Sequence, residues 1–239
     1  MSEILLSMKD LVIEAEVDGV WMPIVKSLSM SLRKGEIIGL IGESGAGKST
    51  FGLAAMGYTK PGCRIVSGSI SLDGEELVGA RTSRLRQIRG DTVAYVAQSA
   101  AASFNPAHRL IHQFSEAPVQ HGKMRQEEAE RRGVDLYGQL DLPEPDKIGR
   151  RFPHQVSGGQ LQRAMTAMAM GCDPRLIIFD EPTTALDVTT QIEVLSTIKE
   201  AVRARGVSAI YITHDLAVVA QVADRIMVLR QDRKSTRLN

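Results

Sequence analysis

A glycine-rich stretch early in the chain constrains the fold more than any other feature. Residues Gly42 to Thr50 read GESGAGKST, which fits the pattern G-x-x-x-x-G-K-[ST]. The apolar run Ile37 to Ile41 precedes it and predicts a buried strand that enters the loop. Glycines allow the backbone to fold closely around a polyphosphate, so that successive N–H groups point at its oxygens. The sequence therefore predicts a nucleotide-phosphate site rather than a solvated glycine turn.

Each residue of this loop is a candidate for nucleotide binding. The lysine is expected to reach the β- and γ-phosphates, and the following serine hydroxyl is expected to ligate Mg²⁺. The predicted binding residues are Gly42, Glu43, Ser44, Gly45, Ala46, Gly47, Lys48, Ser49 and Thr50.

A second strand-like run ends in two carboxylates. Leu176 to Phe179 are apolar, and Asp180 and Glu181 follow directly. Asp180 is expected to hold the Mg²⁺ shell, and Glu181 is placed to polarise the water that attacks the γ-phosphate. A helix cap or a solvated turn is the alternative interpretation of such a pair. The phosphate-binding loop at Gly42 to Thr50, called the P-loop below, favours the catalytic interpretation of Asp180 and Glu181.

Between these two motifs lies Val156-Ser157-Gly158-Gly159-Gln160, followed by a helix predicted for Leu161 to Met170. This segment closely resembles the LSGGQ signature of the ATP-binding cassette (ABC) family, with valine in place of the commoner leucine. Ser-Gly-Gly alone is also typical of a linker or a helix cap. In the family the signature contacts the γ-phosphate held by the P-loop of a second cassette. The resemblance therefore implies that Ser157, Gly158, Gly159 and Gln160 bind ATP across a dimer.

Further family elements follow in the expected order. Gln98, after the strand Val93 to Val96, resembles the Q-loop glutamine, which contacts Mg²⁺ or the attacking water. Ala185-Leu186-Asp187 resembles the D-loop, whose aspartate helps to align the facing sites, and His214 resembles the switch histidine that bonds the γ-phosphate. Trp21 is the only nearby ring for the family's adenine-stacking position, but it precedes the predicted strand Ser27 to Leu32 with an unusual spacing, and packing of a turn is equally open.

The resemblance implies an α/β fold: a P-loop NTPase of the ABC nucleotide-binding type, with a RecA-like core, an antiparallel β-subdomain and an inserted helical subdomain. We expect a single domain, with the core and β-subdomain in residues 1–98 and about 159–230, and the helical signature subdomain in about 99–158. ATP and Mg²⁺ are the implied cofactors. The catalytic residues are predicted to be Glu181, His214, Gln98 and Lys48, and the metal ligands Ser49, Gln98 and Asp180.

Within the family the chain looks most like the ATPase subunits of bacterial peptide and nickel importers. The segments that carry this resemblance are Ser103-Phe104-Asn105-Pro106, Arg151 to Gln155, and DEPTTALDVT from Asp180 to Thr189. They imply a second ATPase subunit, with a related chain favoured over an identical one, two transmembrane permeases, and indirectly an extracytoplasmic solute-binding protein. The implied location is peripheral, on the cytoplasmic face of the inner membrane. An exporter ATPase or a non-transport ABC ATPase acting on nucleic acid remains an alternative.

Composition agrees with this interpretation. The formal net charge of +1 gives no electrostatic argument for nucleic acid as a partner. The two cysteines, Cys63 and Cys172, are far apart and read as reduced thiols. The sequence shows neither a cleavable signal nor an apolar run long enough to cross a bilayer, so we expect other subunits to dock the chain at a membrane. Residues 231–239 depart from the family and are predicted to be a disordered or truncated tail.

Overall fold

The computed structural model describes residues 3–184, 186–229 and 236–238. The chain divides into two compact units, one formed by Met1–Ile88 with Ser208–Asn239 and the other by Arg89–Val207. This division differs from the boundaries predicted from the sequence, which remain a prediction for the functional domains.

Both compact units contain strands, and most of the strands belong to the first unit. In chain order they are β1 Ile4–Val17, β2 Val20–Arg33, β3 Ile37–Gly42, β4 Cys63–Leu72, β5 Glu75–Glu76, β6 Val93–Val96, β7 Leu176–Asp180, β8 Ser208–Ile212, β9 Arg225–Leu229 and β10 Thr236–Leu238. The helices are α1 Lys48–Ala54, α2 Thr82–Ile88, α3 Ala100–Ser103, α4 Leu110–Gln120, α5 Gln126–Gln139, α6 Pro145–Ile148, α7 Gly158–Met170, α8 Val188–Ala204 and α9 Leu216–Val222, with a 3₁₀ turn at Pro153–Gln155.

An antiparallel sheet occupies one side of the first unit, in the order β2-β1-β4-β5. Alternating apolar residues of β2 lie inside, with Met30 and Leu32 buried and Ser27 and Ser29 exposed, as the period of two predicts. Strands β4 and β5 pair across Asp73 and Gly74, both at positive φ (51° and 85°). The Asp-Gly pair is typical of a two-residue hairpin turn, and the structure has this hairpin with the backbone that such a turn requires.

Strands β9, β3 and β8 of the first unit pair in parallel. All five residues of β8 are buried, as are Ile37 to Leu40 of β3. Continuous burial is expected when both faces of a parallel sheet are covered, and it explains why these strands lack polar alternation. Because parallel strands share a direction, β3 and β8 place the loops that follow them at the same edge.

The second unit combines the parallel pair β6 and β7 with a layer of helices. Phe114 of α4 meets Tyr137 of α5 edge to face, with ring centroids 5.8 Å apart. The methionines of α7 suggest core packing; Met165 and Met170 are buried, whereas Met168 is only half-buried. The charged stretch Arg125 to Arg132 suggests a solvated helix face; Arg125 to Glu128 and Arg131 are exposed, whereas Glu130 and Arg132 are half-buried.

The predicted tail is described only in part. Strand β10 pairs antiparallel with β9, with Thr236 opposite Val228. Residues 230–235 and 239 lie outside the described part of the chain, so the prediction of a disordered or truncated tail stays a prediction there.

Candidate functional site

The P-loop begins where β3 ends and closes at the first residue of α1. Gly47 is the N-cap of α1 with φ 81°, and a Cβ on it would lie 2.8 Å from the carbonyl oxygen of Ile24. A residue with a side chain would be strained at this φ and would also collide with the backbone of β2. The loop tip from Glu43 to Gly45 is exposed, so its backbone is accessible to a ligand.

Lys48 is held inside this loop. Its side chain is buried, with the residue 6% exposed, and Nζ donates hydrogen bonds to the carbonyl oxygens of Gly42 (2.8 Å) and Glu43 (2.9 Å). Both acceptors are neutral carbonyl oxygens, so neither of them forms an ion pair with Lys48 that would compete with an anion entering the loop. Ser49 and Thr50 follow on the first turn of α1 and are partly exposed.

Asp180 ends β7 and is 6% exposed. The hydroxyl of Tyr95, on the neighbouring strand β6, donates a hydrogen bond to Asp180 Oδ2 at 2.7 Å. Burial, then this hydrogen bond, then the charge of the carboxylate raise the pKa of Tyr95 well above its usual range. The tyrosine therefore remains protonated at neutral pH and acts as the donor.

Glu181 follows with a left-handed backbone, at φ 47°. Gln98 Nε2 donates to Glu181 Oε2 at 3.2 Å, and the Thr184 hydroxyl donates to the same oxygen at 3.3 Å. The structure thus brings the predicted Q-loop glutamine and the predicted catalytic carboxylate together. Positive φ is unusual outside glycine and turns the Glu181 side chain away from the direction that a continued strand would give it.

The signature segment forms the start of α7. The Ser157 hydroxyl accepts a hydrogen bond from the Gln160 backbone N–H (3.2 Å), and the Gln160 side-chain oxygen accepts one from the Ser157 N–H (3.1 Å). This reciprocal capping box fixes the first turn. It leaves Gly158 exposed and Gly159 buried at the positions whose N–H groups lack acceptors within a helix.

Of the predicted D-loop, Leu186 and Asp187 are described, while Ala185 lies outside the described residues. Asp187 is the N-cap of α8 and accepts from the backbone N–H (3.0 Å) and the hydroxyl (2.7 Å) of Thr190. These two bonds, the backbone one first, lower the pKa of Asp187. Because the folded pKa is the lower one, the cap stabilises the fold at neutral pH, and this contribution is lost as the pH falls through that pKa.

His214 follows β8 in the first unit and is exposed. The residues on either side fix its backbone: the Thr213 N–H donates to Leu40 O (3.1 Å), and Asp215 caps α9 by accepting from the Ala217 N–H (2.8 Å). Lys48 and His214 thus belong to one compact unit, whereas Gln98, Asp180, Glu181 and the signature belong to the other.

The predicted metal ligands are a serine hydroxyl, an amide and a carboxylate. Among the described side chains, no three His, Cys, Asp or Glu residues group together as a metal cluster. Mg²⁺ is commonly bound by one or two protein oxygens together with substrate phosphates rather than by an all-protein cage, so this donor set fits Mg²⁺. Ser49 belongs to the first compact unit and Gln98 and Asp180 to the second, and their role as Mg²⁺ ligands stays a prediction.

Comparison with known proteins identifies the family. The ABC transporter family model matches residues 25–184, which include the P-loop, Gln98, the signature and the Asp180-Glu181 pair. The chain belongs to the ABC transporter family. Its parallel strands with helices and its separate antiparallel sheet agree with the predicted fold class.

Several relatives carry names from peptide transport. This ABC chain is 40% identical over 228 residues to the oligopeptide transport ATP-binding protein OppD of Lactococcus lactis subsp. lactis, covering 95% of this chain and 68% of that protein. It is 40% identical over 206 residues to the probable D,D-dipeptide transport ATP-binding protein DdpD of Escherichia coli K12, covering 86% of this chain and 63% of that one.

The fold is also that of a solved cassette. The dimeric post-hydrolysis structure of the ATP-binding cassette MJ0796, bound to ADP and Pi, has a TM-score of 0.84 with 24% identity, and the match covers 98% of this chain and 99% of that one. At this identity the likeness shows the ABC fold alone. Within the described residues, no helix is both long and apolar enough to cross a bilayer.

The position of Trp21 relative to its strand differs from the prediction. Trp21 does not precede the strand but lies within β2, opposite Glu16 of β1. Pro23 does not end the strand, because β2 is at the edge of its sheet, where a missing N–H is tolerated. The guanidinium carbon of Arg64 lies 4.0 Å from the Trp21 ring centroid, which is a cation–π contact. The adenine-stacking role of this ABC residue stays a prediction.

Tyr95 and Thr184 donate hydrogen bonds to Asp180 and Glu181, but neither was predicted as a site residue. The sequence places Tyr95 in an apolar strand and Thr184 in the DEPTTALDVT segment. The available indication for Tyr95 was a hydroxyl in an otherwise apolar strand next to a predicted site, because a buried hydroxyl needs a partner. For Thr184 the indication was weaker, since threonines in loops usually serve local turns.

The signature glycines give a stability prediction. A Cβ on Gly159 would lie 2.6 Å from Thr190 Cγ2, and the Thr190 side chain is held by its bond to Asp187. Gly159→Ala should therefore lower the free energy of unfolding by about 1–3 kcal/mol, the usual cost of overpacking. Gly158→Ala is the matched control, because its Cβ would lie 3.3 Å from the flexible end of Leu186. Urea unfolding measures both, and equal losses would contradict the predicted contact.

Proposed function

We propose that this chain is the ATP-binding and ATP-hydrolysing subunit of a membrane importer whose cargo is a peptide. The observation that carries the proposal is the pairing of Gln98 with Glu181 next to the buried Asp180, in a chain that also has a complete P-loop. Peptide cargo is supported by the relatives named for oligopeptide and dipeptide transport. A nickel ion or a related small solute is the other importer cargo that the subfamily resemblance allows.

ATP is the proposed substrate, and different residues bind its phosphates, its metal ion and its adenine. The loop Gly42 to Thr50 binds the phosphates through its backbone, and Lys48 neutralises the β- and γ-phosphate charge. Mg²⁺, when bound through Ser49 and Asp180, would supply charge neutralisation at the phosphate oxygens. Trp21 is the candidate for stacking on adenine.

Glu181 is the residue that handles the attacking water. Its carboxylate is oriented by the Gln98 amide and the Thr184 hydroxyl, both of which donate to Oε2. Gln98 is proposed to contact Mg²⁺ or the attacking water beside Glu181. His214, on its exposed turn after β8, is proposed to bond the γ-phosphate, where an imidazole can act as a donor near neutral pH.

The signature implies that two cassettes work together. Ser157 and Gly158 are exposed at the start of α7, and together with the buried Gly159 they would bind the γ-phosphate held by a facing P-loop. Each chain then carries two half-sites, and ATP joins the two cassettes until hydrolysis lets them separate. In the cell we propose a related second ATPase as the partner, with two permeases that dock the pair at the cytoplasmic face of the inner membrane.

Transport assays test the cargo. In cells that express this chain with its permeases and binding protein, uptake of a labelled oligopeptide should require wild-type Glu181, and Glu181→Gln should abolish it. Nickel uptake measured in the same cells should not change. If nickel uptake depends on Glu181 and peptide uptake does not, the cargo is nickel and not a peptide. If Glu181→Gln cells accumulate a labelled compound that wild-type cells expel, the chain belongs to an exporter.

A further inference from the structure

Tyr95 contacts the carboxylate of Asp180, which is proposed to hold Mg²⁺. Strands β6 and β7 pair in parallel, with Tyr95 opposite Ile178. Asp180 is two residues beyond Ile178 and therefore lies on the same face of β7. A tyrosine side chain is long enough to reach this diagonal position, and its hydroxyl lies 2.7 Å from Asp180 Oδ2.

The environment makes this contact stronger than a surface hydrogen bond. Asp180 is 6% exposed and Tyr95 is half-buried, so water competes little for the carboxylate. The other residues of β6 near it, Val93, Ala94 and Val96, are buried and apolar and offer no donor from their side chains. A hydroxyl that donates to a carboxylate is a charge-assisted bond, about twice as strong as a neutral one.

We propose that Tyr95 is a positioning residue that fixes the Asp180 carboxylate in the orientation needed to hold Mg²⁺ with the nucleotide. The inference rests on the proposed function, because it assigns Asp180 to the metal shell. Tyr95 touches neither the nucleotide nor the water in this scheme. It acts through Asp180, as partners of a metal ligand commonly do by fixing that ligand's rotamer.

Removal of the hydroxyl alone tests the proposal. Tyr95→Phe should raise the Mg²⁺ concentration for half-maximal ATP turnover by about 10-fold or more, the usual cost of losing the partner of a metal ligand. The same variant should weaken Mn²⁺ binding to the complex of the protein with a non-hydrolysable ATP analogue by a similar factor, measured by electron paramagnetic resonance. Nucleotide affinity without metal should stay at the wild-type value.

A matched variant separates positioning from packing. Tyr137→Phe removes another tyrosine hydroxyl from a fully buried position in α5, and it should leave both metal measurements unchanged. If Tyr95→Phe does not fold, Tyr95→Met keeps a large apolar side chain without the hydroxyl and serves the same test. A purely structural role would lower the melting temperature without changing Mn²⁺ affinity.

The outcomes distinguish this inference from the proposed function. Unchanged Mn²⁺ and Mg²⁺ dependence in folded Tyr95→Phe, with normal turnover by the wild type, would overturn the role of Tyr95 and leave the ATPase proposal standing. Absence of Mg²⁺-dependent turnover in the wild-type protein would overturn both. A shift in Mn²⁺ affinity in Tyr95→Phe but not in Tyr137→Phe would support the inference.

Discussion

Replacement of Glu181 by glutamine is expected to lower ATP turnover by about 10²–10⁴-fold, the range of a positioned acid–base group, while ATP binding stays at the wild-type level. Glutamine has nearly the same size and keeps an oxygen that can accept from Gln98 and Thr184, so the local hydrogen bonds survive. What it loses is the negative charge that orients and deprotonates water. The measurement is phosphate release at saturating ATP, beside equilibrium binding of a labelled nucleotide.

A control variant shows whether charge loss anywhere has the same effect. Glu193 is exposed on α8, and Glu193→Gln removes the same charge with the same change in shape. It should leave turnover and binding unchanged. Unchanged turnover in Glu181→Gln would contradict the assignment of Glu181 as the residue that activates water.

Replacement of Lys48 by alanine is expected to reduce both ATP affinity and turnover. The ammonium is buried and is held by two neutral carbonyl oxygens, so its charge is available to the phosphates. Loss of a hydrogen bond to a charged group costs about 1.5–3 kcal/mol, which corresponds to roughly 10–100-fold in affinity. Loss of a preorganised donor to the developing charge should also lower turnover by about 10²–10³-fold.

Lys60→Ala is the matched control for Lys48, because Lys60 belongs to the same compact unit and is exposed. Its nucleotide affinity, measured by calorimetry, should equal that of the wild type. Because the carbonyl oxygens of Gly42 and Glu43 lose a donor in Lys48→Ala, circular dichroism and thermal unfolding are needed to show that this variant is folded. Wild-type affinity and turnover in a folded Lys48→Ala protein would contradict the phosphate-binding role of the loop.

Much of this fold could be predicted from local patterns. The continuous apolar runs before the P-loop and before Asp180 are buried strands, and Asp73-Gly74 forms a hairpin turn because its chemistry is local. Gln98 and Glu181, each predicted separately, lie within hydrogen-bond distance because the carboxyl ends of parallel neighbours meet at one edge.

Other features depended on pairing between distant segments. Strand β2 extends through Trp21 and Pro23 because β1 pairs with this part of it, from Glu14 opposite Pro23 to Val17 opposite Val20, which no local pattern reveals. The partner of Asp180 follows from the register of β6 against β7, and a shift of one residue would turn Tyr95 to the opposite face. The left-handed backbone of Glu181 was not predictable either, because that conformation is rare for glutamate.

The most direct test of the facing half-sites is the mass of the Glu181→Gln protein in solution, measured by light scattering with and without Mg-ATP. Two copies of the chain supply two P-loops and two signatures, so they contain both complete sites even where the cell supplies a related partner. We expect a monomer without nucleotide and a dimer with Mg-ATP. A monomer that has bound ATP, both alone and when mixed with the related second ATPase, would contradict the claim that the signature acts on the ATP of a facing cassette.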